Sequence, residues 1–250
     1  MNSNSIIIEG MTAISAVINA IKDGVNNRRI YKIYVSSSAA KKKTREIAFL
    51  KHNSLIHGFD IEFLPDSEFD NLVQGTSHGG IVALCSERMF CGVSGAELSP
   101  KGIFALLDGI EDPYNYAYTV RSLYAAGFDG IILPPRNWSS ADALVAKSSA
   151  GTSELMSTFV EEPVNAVKTF KAAGYKIVSA GIRDSVSLFE AELSAPVLLI
   201  IGGEKRGISR SLLELSDMVV RIDYGRTFMG SLTTASSATI MAFEIMRQNK

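Results

Sequence analysis

Three short segments of the 250-residue chain gather residue types that could do chemistry. The first is Asp112-Pro113-Tyr114-Asn115 with Arg121 six residues beyond the asparagine. Asp112-Pro113 marks a turn, and Asn115 stands where a helix begins and can serve as its N-cap. Arg121 is either a surface arginine, the usual fate of that residue, or projects with Asn115 over a ligand-binding edge. The second is Gly202-Gly203-Glu204-Lys205-Arg206-Gly207, directly after the apolar run Val197–Ile201. It is neither a GxGxxG fingerprint nor a GxxxxGK[ST] loop, so it does not indicate nucleoside triphosphate chemistry. Backbone without side chains admits a flat ligand such as an adenine. Glu204 is then either a solvated charge or an active-site group. The third segment, Phe228 to Thr239, is mostly small residues. Ser231 can cap a helix there, and small side chains let that helix pack close to other backbone.

These segments need a frame that brings them together. Apolar runs at Ile103–Leu107, Ile131–Leu133, Lys176–Ala180, Val197–Ile201 and Met218–Ile222 read as strands. Between and after them, Tyr116–Ala126, a stretch through Ala146 capped by Ser139 or Ser140, Val164–Ala173, Ser209–Leu215 and Ser231–Arg247 read as helices. Strands of consecutive apolar residues alternating with helices predict a parallel sheet covered on both faces. Ligands of such sheets sit beyond the carboxyl ends of the strands, which points to the residues after Leu107, Ala180, Ile201 and Ile222. Upstream, strands at Ile6–Ile8, Ile30–Val35, Phe59–Leu64 and Ile81–Cys85, with helices at Met11–Ile21 and Lys41–Lys51, predict a smaller α/β unit. Gly92, Gly95, Ser99, Pro100 and Gly102 mark a linker. The expected division is 1–90, a linker over 91–102, and 103–250.

Composition narrows the class. Apolar residues are 46% and charged residues 20%, with a formal net charge of −1, an ordinary globular balance. A domain that merely coats nucleic acid is usually basic overall. Bases nevertheless cluster between Lys22 and Lys51, Lys41-Lys42-Lys43 and Arg45 among them; that stretch is either a solvated face or a patch for RNA phosphates. Cys85 and Cys91 form no CxxC pair, so neither a metal site nor a disulfide framework is expected. No signal peptide is apparent and no apolar run approaches the roughly 20 residues of a membrane span, so a cytoplasmic protein is expected.

In this order the three segments resemble the three motifs of the SpoU (TrmH) family of RNA ribose 2′-O-methyltransferases. Asn115 with Arg121 is similar to the first motif, Leu199 to Ile208 to the second, and Ile222 with Ser231-Leu232 to the third. Ile8-Glu9-Gly10 and Gly75-Thr76-Ser77-His78-Gly79-Gly80-Ile81 resemble an L30e-like RNA-binding domain that precedes many members; His78 is read as a turn residue without chemistry. The resemblance implies a SPOUT-type parallel-sheet domain with a C-terminal trefoil knot, a homodimer, and S-adenosyl-L-methionine as cofactor with no metal. It implies catalytic roles for Arg121, Asn115, Glu204 and Ser231, and an adenosyl pocket of Gly202, Gly203, Ile222, Leu232 and Ala180. Ribosomal RNA, with 23S rRNA first, is the expected substrate ahead of tRNA, an antibiotic-resistance enzyme being one form of that reading. Two positions depart from the family pattern. Tyr116 replaces a glycine near the presumed RNA entrance, and Thr233 replaces an asparagine and so loses a paired donor and acceptor. Both favour the rival reading, a family-like dimer that binds cofactor and RNA without transferring methyl. A generic α/β enzyme of small metabolites fits the sheet but leaves Arg121 and the basic segment unexplained.

Overall fold

The computed structural model describes residues 5–73, 77–136 and 141–250. Gly75 and Thr76, quoted above for the upstream domain, and Ser139 and Ser140, expected to cap a helix, lie outside the described residues. In chain order the elements begin with β1 (Ser5–Glu9), α1 (Met11–Lys22), β2 (Ile30–Ser36), α2 (Ser37–Lys42), α3 (Thr44–His57), β3 (Asp60–Leu64), α4 (Asp66–Phe69) and β4 (Ile81–Ser86). They continue with β5 (Ile103–Asp108), α5 (Pro113–Ala125), β6 (Gly130–Leu133), α6 (Asp142–Ser148), α7 (Thr152–Leu155), β7 (Thr158–Val160), α8 (Pro163–Ala172) and β8 (Lys176–Ala180). The last are β9 (Val186–Ser187), β10 (Val197–Gly202), α9 (Arg210–Leu215), β11 (Met218–Arg221) and α10 (Thr234–Gln248).

Two compact units result: Met1–Met89 with Trp138–Leu155, and Phe90–Asn137 with Met156–Lys250. The first holds a four-stranded sheet in the order β1-β4-β2-β3, antiparallel except for the β2–β3 pair. Its core is the apolar stripe of α1 (Ile14, Val17, Ile18) with Leu50 of α3, laid on Ile8, Ile33, Val35 and Ala83. The basic stretch expected as one helix is two, broken at Lys43, whose φ of −112° and ψ of 52° are not helical.

α6 and α7 lie between β6 and β7 in sequence yet belong to this first unit. They are tied there by charge as well as packing. The Arg28 guanidinium, its side chain 1% exposed, donates to Glu154 through Nε at 2.8 Å and to Asp142 through a terminal nitrogen at 2.8 Å. Its other terminal nitrogen donates to the Ser86 carbonyl, and Asn26 donates to Glu154. Glu154 is held below the usual carboxylate range; burial opposes this, but Arg28 and Asn26 outweigh it. Asp142, also desolvated, takes one Arg28 bond and faces Glu154 besides, and it is pushed up. Lys147 of α6 pairs with Glu9 of β1 at 2.7 Å.

The second unit is a seven-stranded sheet in the order β7-β6-β5-β10-β8-β11-β9, every pair parallel. Its central strand is apolar throughout because both faces are covered, and Val197 to Ile201 are each at most 2% exposed. On one face Phe104, Phe170 and Tyr175 meet with ring centroids 4.9–5.9 Å apart. The stretch expected as a linker is anchored here: Val93 is buried, Cys91 bridges to Phe159, and the Ser99 carbonyl accepts from the Tyr175 hydroxyl. Two strands lie outside the expected set, β7 and β9, both short and at the sheet's edges. Buried Cys85 has its thiol pushed up to about 12 by desolvation, which leaves it unreactive.

Candidate active site

Sheet register decides what can meet. Gly202 pairs with Asp108, and Val220 with Ala180, so β5, β10, β8 and β11 end side by side at one carboxyl edge. The segments after those strands are fastened to one another there. The Gly203 N–H donates to the Asp108 carbonyl at 2.7 Å, and the Ser209 N–H to the Asp108 carboxylate at 2.9 Å. Lys205 pairs with Glu111 at 2.7 Å, raising the ammonium and lowering the carboxyl from their ordinary values. Thr234 of α10 donates to the Gly202 carbonyl at 3.3 Å, and Thr239 bonds Ser122 of α5 at 2.6 Å. Each of the three segments is thereby joined to the other two.

The glycines are required by proximity. A Cβ on Gly203 would stand 1.9 Å from the Gly109 oxygen, and one on Gly202 would stand 2.5 Å from the Gly207 carbonyl carbon. Both neighbours are backbone and cannot swing aside. Gly203→Ala is therefore expected to cost about 1–3 kcal/mol by overpacking, as read by denaturant unfolding. An alanine variant with an unchanged midpoint would refute this fit.

Helix starts differ from expectation in an instructive way. α5 begins at Pro113, and its N-cap is Asp112, whose carboxylate accepts from the Asn115 N–H at 2.8 Å. Asn115 is thus not the cap; it sits half-buried in the first turn, and its backbone N–H, not its side chain, takes part in the capping. Likewise α10 is capped by Thr233, whose hydroxyl accepts from the Ser236 N–H at 3.2 Å, and not by Ser231, which is exposed outside the helix. Thr233 therefore keeps a role an asparagine could also play. Thr233→Ala should cost about 1 kcal/mol, while Thr233→Asn should leave the thermal midpoint within a degree or two of wild type. Tyr116, expected near an RNA entrance, is a buried residue of α5.

Arg121 is exposed on α5, whose outer face also carries Tyr114 and Tyr118. Glu204 is exposed in the glycine turn. Among the described residues, the side chains of Asn115, Arg121, Glu204 and Ser231 make no hydrogen bond to one another. Ala180, Gly202, Ile222 and Leu232 are half-buried along the edge, and the Leu232 N–H donates to the Tyr224 hydroxyl at 3.3 Å. Arg136, just beyond β6, lies on the same edge and is not among the residues that the three segments single out. Its guanidinium donates to the Ile110 carbonyl at 2.8 Å; burial lowers its pKa, and the Tyr116 and Glu111 oxygens nearby oppose that. Its place one strand from β5 on the same edge is the signal available, hidden behind a Pro134-Pro135 that reads only as a strand stop. Among the described residues no group of three or more His, Cys, Asp or Glu could hold a metal, and no helix is long and apolar enough to cross a membrane.

Comparison with known proteins bears directly on this edge. The SpoU rRNA Methylase family matches residues 102–243, and the RNA 2′-O ribose methyltransferase substrate-binding family matches residues 7–90. The chain belongs to the SpoU family. It is 27% identical over 249 residues to a Staphylococcus saprophyticus protein assigned to the TrmH family of tRNA/rRNA methyltransferases, covering 97% of this chain and 96% of that one. It is 28% identical over 198 residues to a 23S rRNA (guanosine-2′-O-)-methyltransferase of Shewanella oneidensis, covering 77% and 80%. The fold matches an rRNA methyltransferase of Sinorhizobium meliloti with a TM-score of 0.80 at 19% identity, over 98% of this chain and 88% of that chain. SpoU proteins are S-adenosylmethionine-dependent RNA methyltransferases, and this chain is an enzyme of that class.

Proposed function

We propose that this chain methylates a ribose 2′-hydroxyl of RNA in the cytoplasm, with ribosomal RNA, 23S first, as the substrate ahead of tRNA. The observation that carries the proposal is the three-way fastening of Asp108–Ser122, Gly202–Ser209 and Ser231–Thr239 at one sheet edge. In this reading residues 1–90, an L30e-like domain, select the RNA, and 103–250 carry the chemistry as a knotted homodimer. α10 packs on α5, where Thr239 bonds Ser122, and carries the buried small residues Ala235, Ala238 and Ala242 that a threaded segment would need.

S-adenosylmethionine supplies an electrophilic methyl group on a sulfonium. Side-chain-free backbone at Gly202-Gly203, with Ala180, Ile222 and Leu232 half-buried beside it, suits a flat adenosyl group held by backbone and apolar contact. Arg121 anchors an RNA phosphate and stabilises the oxyanion that develops as the hydroxyl loses its proton. A guanidinium stays charged throughout the working range, which suits a fixed electrostatic role better than that of a base. Asn115, Glu204 and Ser231 orient Arg121 and the ribose.

The test is transfer of labelled methyl from S-adenosylmethionine to total bacterial RNA, followed by nuclease mapping of the product. Label in a ribose supports the proposal. Cofactor binding without any transfer would instead establish a binding module, the reading favoured by a Thr233 that offers a hydroxyl and no amide.

A further inference from the structure

A basin of about 430 Å³ opens in the first unit, where none of the three motif segments reaches. Lys42 and Lys43 come to it from the α2–α3 junction, and Asp66 and Asp70 from α4 and the turn after it. His78, Gly79 and Gly80 complete it from the turn before β4. This volume is that of a small-ligand site.

The turn is built to hold these groups in place. The Gly80 N–H donates to His78 Nδ1 at 3.0 Å, which orients the ring within the turn. The ring packs on Phe69 with centroids 5.2 Å apart. A Cβ on Gly79 would stand 2.6 Å from the Lys43 ammonium nitrogen, which places that cation against the turn. Asp66 is likewise oriented, accepting from the Ser38 N–H at 3.0 Å.

The two ammoniums and two carboxylates cancel, so the basin does not suit a bare anion. It suits a ligand with a negative end and an edge of hydrogen-bond donors. A carboxylate only accepts, and among the RNA bases guanine presents two adjacent donors, N1–H and N2–H₂, to one such group. Unstacked bases of single-stranded RNA are the part of RNA that proteins can read in this way. We propose that the basin takes one guanosine nucleotide of the RNA substrate, its phosphate at Lys42 and Lys43 and its base edge at Asp66 and Asp70. This rests on RNA being the substrate and adds where and how it is read.

The experiment uses the full chain and two single-stranded RNA pentanucleotides, all-uridine and uridine with one central guanosine, titrated at several salt concentrations. The guanosine oligonucleotide should bind about tenfold more tightly, the discrimination one good base pairing supplies. Lys42→Ala/Lys43→Ala should weaken both by tenfold or more and flatten the salt dependence by about 0.7 for each phosphate that the protein ceases to neutralise. Asp66→Asn/Asp70→Asn should abolish the preference for guanosine and leave the salt slope alone. The exposed pair Lys22→Ala/Lys51→Ala removes the same charge elsewhere. Equal weakening by that control, or no guanosine preference in the wild-type protein, would overturn the proposal. Calorimetry with S-adenosylmethionine on each variant should show unchanged affinity. Methyl transfer that persists while the basin variants bind RNA normally would sink this inference and leave the enzymatic reading standing.

Discussion

Arg28→Ala should lower the unfolding free energy by about 3–5 kcal/mol, the cost of leaving buried charge without its partner. The side chains of Arg28 and Glu154 are 1% and 3% exposed, so water cannot replace the missing cation. The pH dependence should change sign as well. In the native protein Glu154 lies below its ordinary 4.5, so its contribution is complete above that pH and is lost as pH falls through the lowered value. Asp142, shifted the other way, offsets part of this. Without the guanidinium, burial and mutual repulsion raise both carboxyls. The variant should then gain stability as pH falls through those raised values, where Glu154 of wild type still contributes in full. Urea unfolding from pH 7 down to about 3 covers both windows, and parallel curves would show that Arg28 is not what holds Glu154 ionised.

Arg121→Ala should lower the methyl-transfer rate by about 10²–10³-fold, the effect of removing one group aimed at developing charge. Because Arg121 is exposed and makes no hydrogen bond among the described residues, the fold should survive with its thermal midpoint unchanged. Affinity for S-adenosylmethionine should also hold, which separates loss of chemistry from loss of the pocket. Arg121→Lys keeps a charge but not the planar fork, and should recover only part of the rate. Undiminished transfer by the alanine variant would remove Arg121 from the mechanism.

Much of the fold is legible in the sequence because burial on both faces writes strands as unbroken apolar runs. Val197–Ile201 and Ile131–Leu133 are recognisable for that reason. β7 and β9 are not, since a short edge strand such as Val186–Ser187 has no run to display. The fate of Arg28 is equally hidden: it stands among surface bases in the sequence, while the acids that bury it are 114 and 126 residues away. The candidate edge is legible from three motifs in order. Its local geometry is not, because Asp112 and Asn115 are both competent caps, as are Ser231 and Thr233. Only the backbone path chooses between them.

The excursion of α6 and α7 into the first unit limits how modular this protein can be. The two family matches divide the sequence near residue 90, as if one stretch of gene had been joined to another. The polypeptide does not divide there alone, because it passes between the units after residue 89 and again after residues 137 and 155. A fragment ending at residue 90 keeps Arg28 and Glu9 but loses Glu154, Asp142 and Lys147. The upstream unit is therefore inheritable only together with part of its neighbour, and exchange of such units between relatives must carry residues 138–155 along.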